Sequence, residues 1–417
     1  VRRINRFYNA RGIAPMTSRE RVLKALAFEE TDRVPMDLAG MPSTGVSCFA
    51  YPGLVAALGL PYRPPRVYDT GQMLALPDLD VLDALGTDVV TLTMDYTNAF
   101  DEPDKWRPYD FGGRLPALVR DPCAFETLPD GTVIQHGGQS RMPPAAHVFE
   151  SEHGGQPFDL AGELPKPDLR EVEKNNRDWQ FSNEQIDATA RYFERVRNAT
   201  DRAILFCGPG AGIGIGAYYG VATFPMLCMT EPDFVARLHE ITIHYACERV
   251  QSLLKVIHPY IDVYQCSSDD WGTQNQTFAA PAVFDELFKP YYRRFTDAIH
   301  AAGPNVKTFL HSCGAIYDIL DMVIESGFDV LNPVQWTAGG HSFREWKDKA
   351  RNRIALWGGG VNTQVTLPLG TVEDVEREVR EIVACMRRDG GYVFCAIHNI
   401  LAEIPGEKIV ALYRACS

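Results

Sequence analysis

The chain has 417 residues, 45% hydrophobic and 23% charged, which is the balance of a globular protein with a sizeable core. Acidic residues outnumber basic ones 54 to 41, giving a formal charge of −13 with no long basic tract to offset it. That argues against binding a nucleic-acid phosphate backbone. No stretch approaches the roughly 20 apolar residues that span a membrane, and the ten cysteines lack the dense spacing of a secreted disulfide scaffold, so a reduced, cytoplasmic setting is expected.

Residues 1–15 are basic but contain no apolar stretch, and do not read as a secretory signal. They are expected to form an N-terminal arm, with one domain running from 16 to 417. Thr17 and Glu20 open the first helix as a capping box. Short β-branched runs then predict strands at 34–40, 88–94, 203–208, 261–266, 306–312, 329–334, 354–359 and 392–397. Residues 100–180, rich in Pro, Gly and Asp, break the rhythm and read as a loop- and hairpin-rich insertion. Amphipathic helices follow at 232–257, 281–303, 315–327 and 372–391, with apolar residues at i, i+3, i+4 and i+7.

Eight strands with helical crossovers predict an α/β fold, a (β/α)8 TIM barrel carrying the insertion, with a doubly wound open sheet as its competitor. In such barrels the active site lies at the C-terminal ends of the strands. There the sequence places Asp95, a Gly-rich loop, Asp269 and Asp270, His311 and Cys313, Asn332 and Gln335, Gly358 to Gly360 with Asn362, and Cys395 with His398.

The segment HSCG (311–314) puts an imidazole and a thiol two residues apart at a strand end. Residues i and i+2 of an extended chain share a side, so His311 and Cys313 can reach one ion at roughly 2.0 and 2.3 Å. The plainer alternative is a buried histidine beside a buried thiol. A catalytic zinc needs a third protein ligand, and FCAIHNI (394–400) offers Cys395 or His398, with Asp269 or Asp270 as a further oxygen donor. The acidic pair is equally suited to capping the next helix. In GPGAGIGIGAYYG (208–220), Gly212 and Gly214 fit a G-x-G-x-x-A pattern, but a helix rather than a second strand is predicted to follow. Close backbone approach to a ligand or a neighbouring loop is the better reading for these glycines. Asp95 in LTMDYTN suits general acid/base work or loop capping, and Asn362 and Gln364 are polar candidates over the pocket.

From about residue 16 onward the chain resembles the uroporphyrinogen decarboxylase superfamily. The resemblance is carried by TSRERVLKALAFEETDRVPMDL, GTDVVTLTMDY, SSDDWGTQ, FLHSCGAIYDIL, LWGGGVNTQ and GGYVFCAIHNILAEIPGEKI, in order. One branch of that superfamily decarboxylates porphyrinogens without a cofactor. The other comprises zinc-dependent methyltransferases that exchange methyl groups with a corrinoid protein, and it is marked by H-x-C followed much later by Cys. His311 and Cys313 resemble the second branch, and the first strand-loop, MDLAGMPSTGVS, lacks the arginines with which decarboxylases hold a porphyrin. At the distal cysteine's position this chain has His398, so a site of His311, Cys313 and His398 is expected.

The resemblance implies Zn2+ as cofactor and a small methylated substrate, methoxy compound or thiol. No D-x-H-x-x-G cobalamin signature is present, so the corrinoid is expected on a separate protein docking over the barrel mouth. Asp95, Asp270 and Tyr218 are the expected catalytic side chains, and Gly212, Gly214 and Asn362 the expected cofactor contacts. A homodimer is an open expectation. The competing readings are a metal-free decarboxylase using Asp95, with Tyr218 or Tyr219 placing the substrate, and a non-catalytic ligand-binding barrel.

Overall fold

The computed structural model describes residues 15–100, 103–150 and 164–417, so the expected arm, apart from Pro15, lies outside the described residues. Seven parallel strands form one sheet in sequential order: β1 (Val89–Thr93), β2 (Ala203–Cys207), β3 (Val263–Ser268), β4 (Lys307–His311), β5 (Val330–Asn332), β6 (Ala355–Trp357) and β7 (Tyr392–Val393). Both faces are buried. Val89, Leu205, Val263, Phe309, Val330, Ala355, Trp357, Val393 and Cys395 pack together in the lumen. Their outward neighbours Val90, Ile204, Tyr264, Leu310, Leu331 and Leu356 join the layer beneath the helices. Double-sided burial explains why these strands read as continuous apolar runs rather than alternating ones.

The expected strand at 34–40 is reduced to a bridge that closes the barrel. Met36 pairs in parallel with Phe394; Asp37 N–H donates to Phe394 O, Phe394 N–H to Pro35 O, and Asp88 N–H to Met36 O. A longer ladder does not form here because Pro35 has no N–H and the Met36 amide turns to the Asp88 carboxylate at 2.9 Å. Asp88 is fully buried and also binds Arg21 at 2.6 Å and Arg33 at 2.6 and 2.8 Å. The carboxylate thus joins the first helix (Ser18–Leu26), the closing segment and β1. The predicted capping box of that helix, Thr17 with Glu20, is present.

The predicted insertion contributes an antiparallel meander and an antiparallel hairpin that enters a mixed sheet. Phe125–Thr127, Val133–Gln135 and Ser140–Met142 form a meander, while Arg107–Asp110 and Pro116–Val119 join Arg66–Asp69 and Leu74–Leu76 in a four-stranded sheet. The sheet therefore recruits a hairpin that precedes β1. Leu169–Asp178, inside the same predicted insertion, is helical. Among the predicted helices, Pro232–Ile257 is continuous, whereas 281–303 is two helices, Pro281–Leu287 and Lys289–Ala302, broken at Phe288. Among the described residues no helix is long and apolar enough to cross a membrane, and all ten cysteines are unpaired.

Removing the Asp88 carboxylate would take from Arg33 its carboxylate partner, leave Arg21 with Asp32, and free the Met36 amide. Losing one partner of a buried ion pair costs about 3–5 kcal/mol. Asp88→Ala is therefore expected to lower the urea denaturation midpoint by a corresponding amount, and a midpoint equal to that of the parent would place barrel closure elsewhere.

Candidate metal centre

Two glycine backbones position the loop that follows β4. A Cβ on Gly314 would stand 2.1 Å from Gly272 O, and Gly314 has φ +85°. Only glycine on both sides lets the two chains approach this closely. Across the contact, Gly272 N–H donates to Cys313 O at 3.0 Å, and Gly314 N–H donates to Gln335 Oε1 at 2.7 Å. Cys313 is thereby fixed between the β3 and β5 loops.

His311 ends β4 and is 3% exposed. Its Nδ1–H donates to Asn332 Oδ1 at 2.6 Å, and Asn332 Nδ2–H donates in turn to Trp357 O at 2.9 Å. The second bond sets the amide orientation, the first sets the imidazole, and Nε2 is left facing the mouth. Nε2 lies 3.1 Å from Cys313 Sγ, 3.4 Å from Asp270 Oδ1 and 3.3 Å from Ser43 Oγ.

His398 arrives from the far side of the closed barrel, in the segment after β7. Donor atoms of His311, Cys313 and His398 all lie within 4.8 Å of one another, and the two imidazole centroids are 5.9 Å apart. Donors on one tetrahedral zinc stand roughly 3.3–3.8 Å apart, so side-chain movement of about 1 Å gathers all three. A thiolate with two imidazoles suits zinc. Cys395, the alternative third donor, instead packs in the lumen beside Trp357 and Val393, 1% exposed. Burial raises its thiol pKa well above the usual value.

The adjacent acids divide. Asp269 turns into the wall and accepts from Tyr292 Oη–H, Trp271 Nε1–H and Ile215 N–H, each at 2.6 Å, and burial raises it to about 6. Asp270 faces the site and accepts from Cys313 N–H at 2.8 Å. Burial pushes Asp270 up, but the His311 hydrogen bond and charge outweigh it and hold the carboxyl at about 2. Burial opposes a charge on His311, yet the facing Cys313 sulfur and Asp270 lift it to about 10. Burial and then the neighbouring His311 depress His398 to about 4.

The other candidates stand apart from this cluster. Asp95 accepts from Thr97 Oγ1–H and pairs with Arg120 at 3.0 Å, at a largely exposed position on the rim. Gly212 and Gly214 let their loop lie against Thr242 and Asp269, where Cβ atoms would come within 2.9 and 2.8 Å. The segment after them is helical (Phe224–Thr230, then Pro232–Ile257). Tyr218 packs on Phe224, with ring centroids 5.5 Å apart. Asn362 Oδ1 is taken by the Gln364 and Val365 amides at 2.9 and 3.0 Å. Ser43, in the turn Pro42–Thr44, was not among the expected site residues. It lies 268 positions before His311, in a run of small residues, and only barrel closure brings it in.

Gly314→Ala would meet both the Gly272 carbonyl and an unfavourable φ. A loss of about 2 kcal/mol or more is expected, read as a lowered thermal midpoint. A midpoint like the parent's would mean that the two chains separate freely.

Residues 173–417 match the family described as Uroporphyrinogen decarboxylase (URO-D). A curated relative, Uroporphyrinogen decarboxylase from Syntrophotalea carbinolica, is 30% identical over 144 residues, or 34% of this chain. The match spans 38% of that relative's length. The solved structure of a methyltransferase from Methanosarcina mazei aligns with a TM-score of 0.54 at 17% identity, covering 96% of this chain and 98% of that one. At that identity the likeness is one of fold. The family match covers more than half of the sequence: the chain belongs to the uroporphyrinogen decarboxylase (URO-D) family.

Proposed function

We propose that this protein is a zinc-dependent methyltransferase that moves a methyl group between a small methoxy or thiol compound and a corrinoid carried by a separate protein. The observation that carries the reading is the convergence of His311, Cys313 and His398 at the barrel mouth. The name of the Methanosarcina mazei structure accords with it.

Bound there, Zn2+ would supply Lewis acidity, lowering the pKa of a thiol or polarising a methyl–heteroatom bond. The chain's own residues do the rest. Asn332 holds the His311 Nδ1 proton, so that Nε2 is the free donor. Asp270 stays ionised beside the donors, which favours a cation among them. Gly272 and Gly314 keep Cys313 at its station.

A metal-free decarboxylase working through Asp95 is the second reading, favoured by the name of the Syntrophotalea relative. Against it, residues 36–47 carry no cation for a polycarboxylate substrate, and the Asp95 carboxylate is already engaged by Arg120.

Elemental analysis of the purified chain is expected to find about one zinc per chain, falling to background in Cys313→Ala and His398→Ala. The same preparation should methylate cob(I)alamin from one of a panel of methoxy compounds, or methylate a thiol from methylcobalamin. Metal-free parent protein that decarboxylates a porphyrinogen would sink the proposal. Asn332→Ala leaves all three donors in place but frees the His311 ring. Its zinc affinity is expected to fall about 10- to 100-fold, measured by chelator competition, whereas an unchanged affinity would remove Asn332 from the site.

A further inference from the structure

Among the described residues Ser43 has one hydrogen-bond partner for its hydroxyl, His311 Nε2 at 3.3 Å, and the residue is 9% exposed. Its turn is firmly held. Ala39 N–H donates to Thr44 O, Gly40 N–H to Asp37 Oδ1 at 2.8 Å, and Gly45 N–H to Asn399 Oδ1 at 3.1 Å. Ile400 N–H and Gly45 O are also bonded, at 2.9 Å. The turn is therefore strapped to the segment that carries His398, and Ser43 cannot readily swing out to water.

This inference rests on the metal reading above. A metal on His311 Nε2 occupies the lone pair and displaces any proton there, so the Ser43 hydroxyl then has neither acceptor nor donor on the ring. A buried hydroxyl left without a partner costs about 1–3 kcal/mol. The group it can turn to is whatever fills the remaining coordination position beside Nε2. We propose that Ser43 donates a hydrogen bond to the metal-bound atom of the substrate, and so selects substrates that coordinate through oxygen or sulfur.

The selection follows from counting lone pairs. A thiolate sulfur or an ether oxygen bound to a metal keeps at least one lone pair and can accept from Ser43. A tertiary amine nitrogen, or an imidazole nitrogen, spends its only lone pair on the metal and cannot. The substrate class is then methoxy compounds and thiols, with tertiary methylamines disfavoured.

The test uses the full chain loaded with Co2+ and titrated separately with ethanethiol and with imidazole, following the visible absorption of the metal. Ser43→Ala is expected to bind Co2+ in the same ratio as the parent, to bind ethanethiol about tenfold more weakly, and to bind imidazole as the parent does. Ser43→Thr, which keeps the hydroxyl, should restore the thiol affinity. Equal thiol affinity in Ser43→Ala and parent overturns the inference, as does loss of Co2+ from Ser43→Ala while Ser43→Thr retains it, which would make the hydroxyl a metal ligand. A parent that takes up no Co2+ fails the metal reading itself, and it is told apart because no thiol titration is then reached.

Discussion

The mouth of this barrel is assembled by a buried carboxylate. Asp88 draws in two guanidinium groups and the Met36 amide, and so holds the segment that bridges β1 and β7. An ion pair of this kind adds little net stability compared with an apolar replacement, but it is costly to break once built. Here it sets which chain ends meet. With the barrel closed, the turn at residues 42–44 and the segment at 398–400 stand opposite the end of β4, and a histidine, a thiol and a hydroxyl from three distant parts of the sequence face one point.

Around that point the positioning is done by groups with little chemistry of their own. Gly272 and Gly314 contribute their lack of a side chain and their backbone amides. Asn332 contributes an amide whose other end is tied to Trp357 O. Asp269 holds Tyr292, Trp271 and the Gly-rich loop in place, which leaves its neighbour Asp270 to face the donors. His311 and Cys313 are each oriented by a partner that is itself fixed, the condition for a site held to within fractions of an ångström.

Much of this could be read from the sequence because it is local. The strand runs and the long helix at 232–257 are set by periodicity, and the shared side of His311 and Cys313 by the two-residue repeat of an extended chain. What could not be read depends on tertiary contacts. The strand predicted at 34–40 looks as apolar as its neighbours, yet a proline and a competing carboxylate reduce it to a bridge. Asp269 and Asp270 are identical in type and adjacent, and only the surrounding donors tell wall from mouth. Asn362 has the polarity of a ligand contact, but its side chain is spent on a local turn. The Gly-rich loop imitates a nucleotide signature because close packing against Asp269 and Thr242 asks for the same residue as close approach to a phosphate. Ser43 carries no local signal at all.

The packing of Cys395 in the lumen has an electrostatic consequence. A zinc site with two thiolates is neutral overall, since their charges cancel that of the ion. With Cys395 facing Trp357 and Val393 instead, the proposed centre has Cys313 as its one anionic ligand and would keep a net single positive charge. Such a centre withdraws electron density from a bound heteroatom more strongly than a neutral one and attracts an anionic ligand from solution. The carboxylate of Asp270, 3.4 Å from His311 Nε2, then stands close enough to moderate that charge.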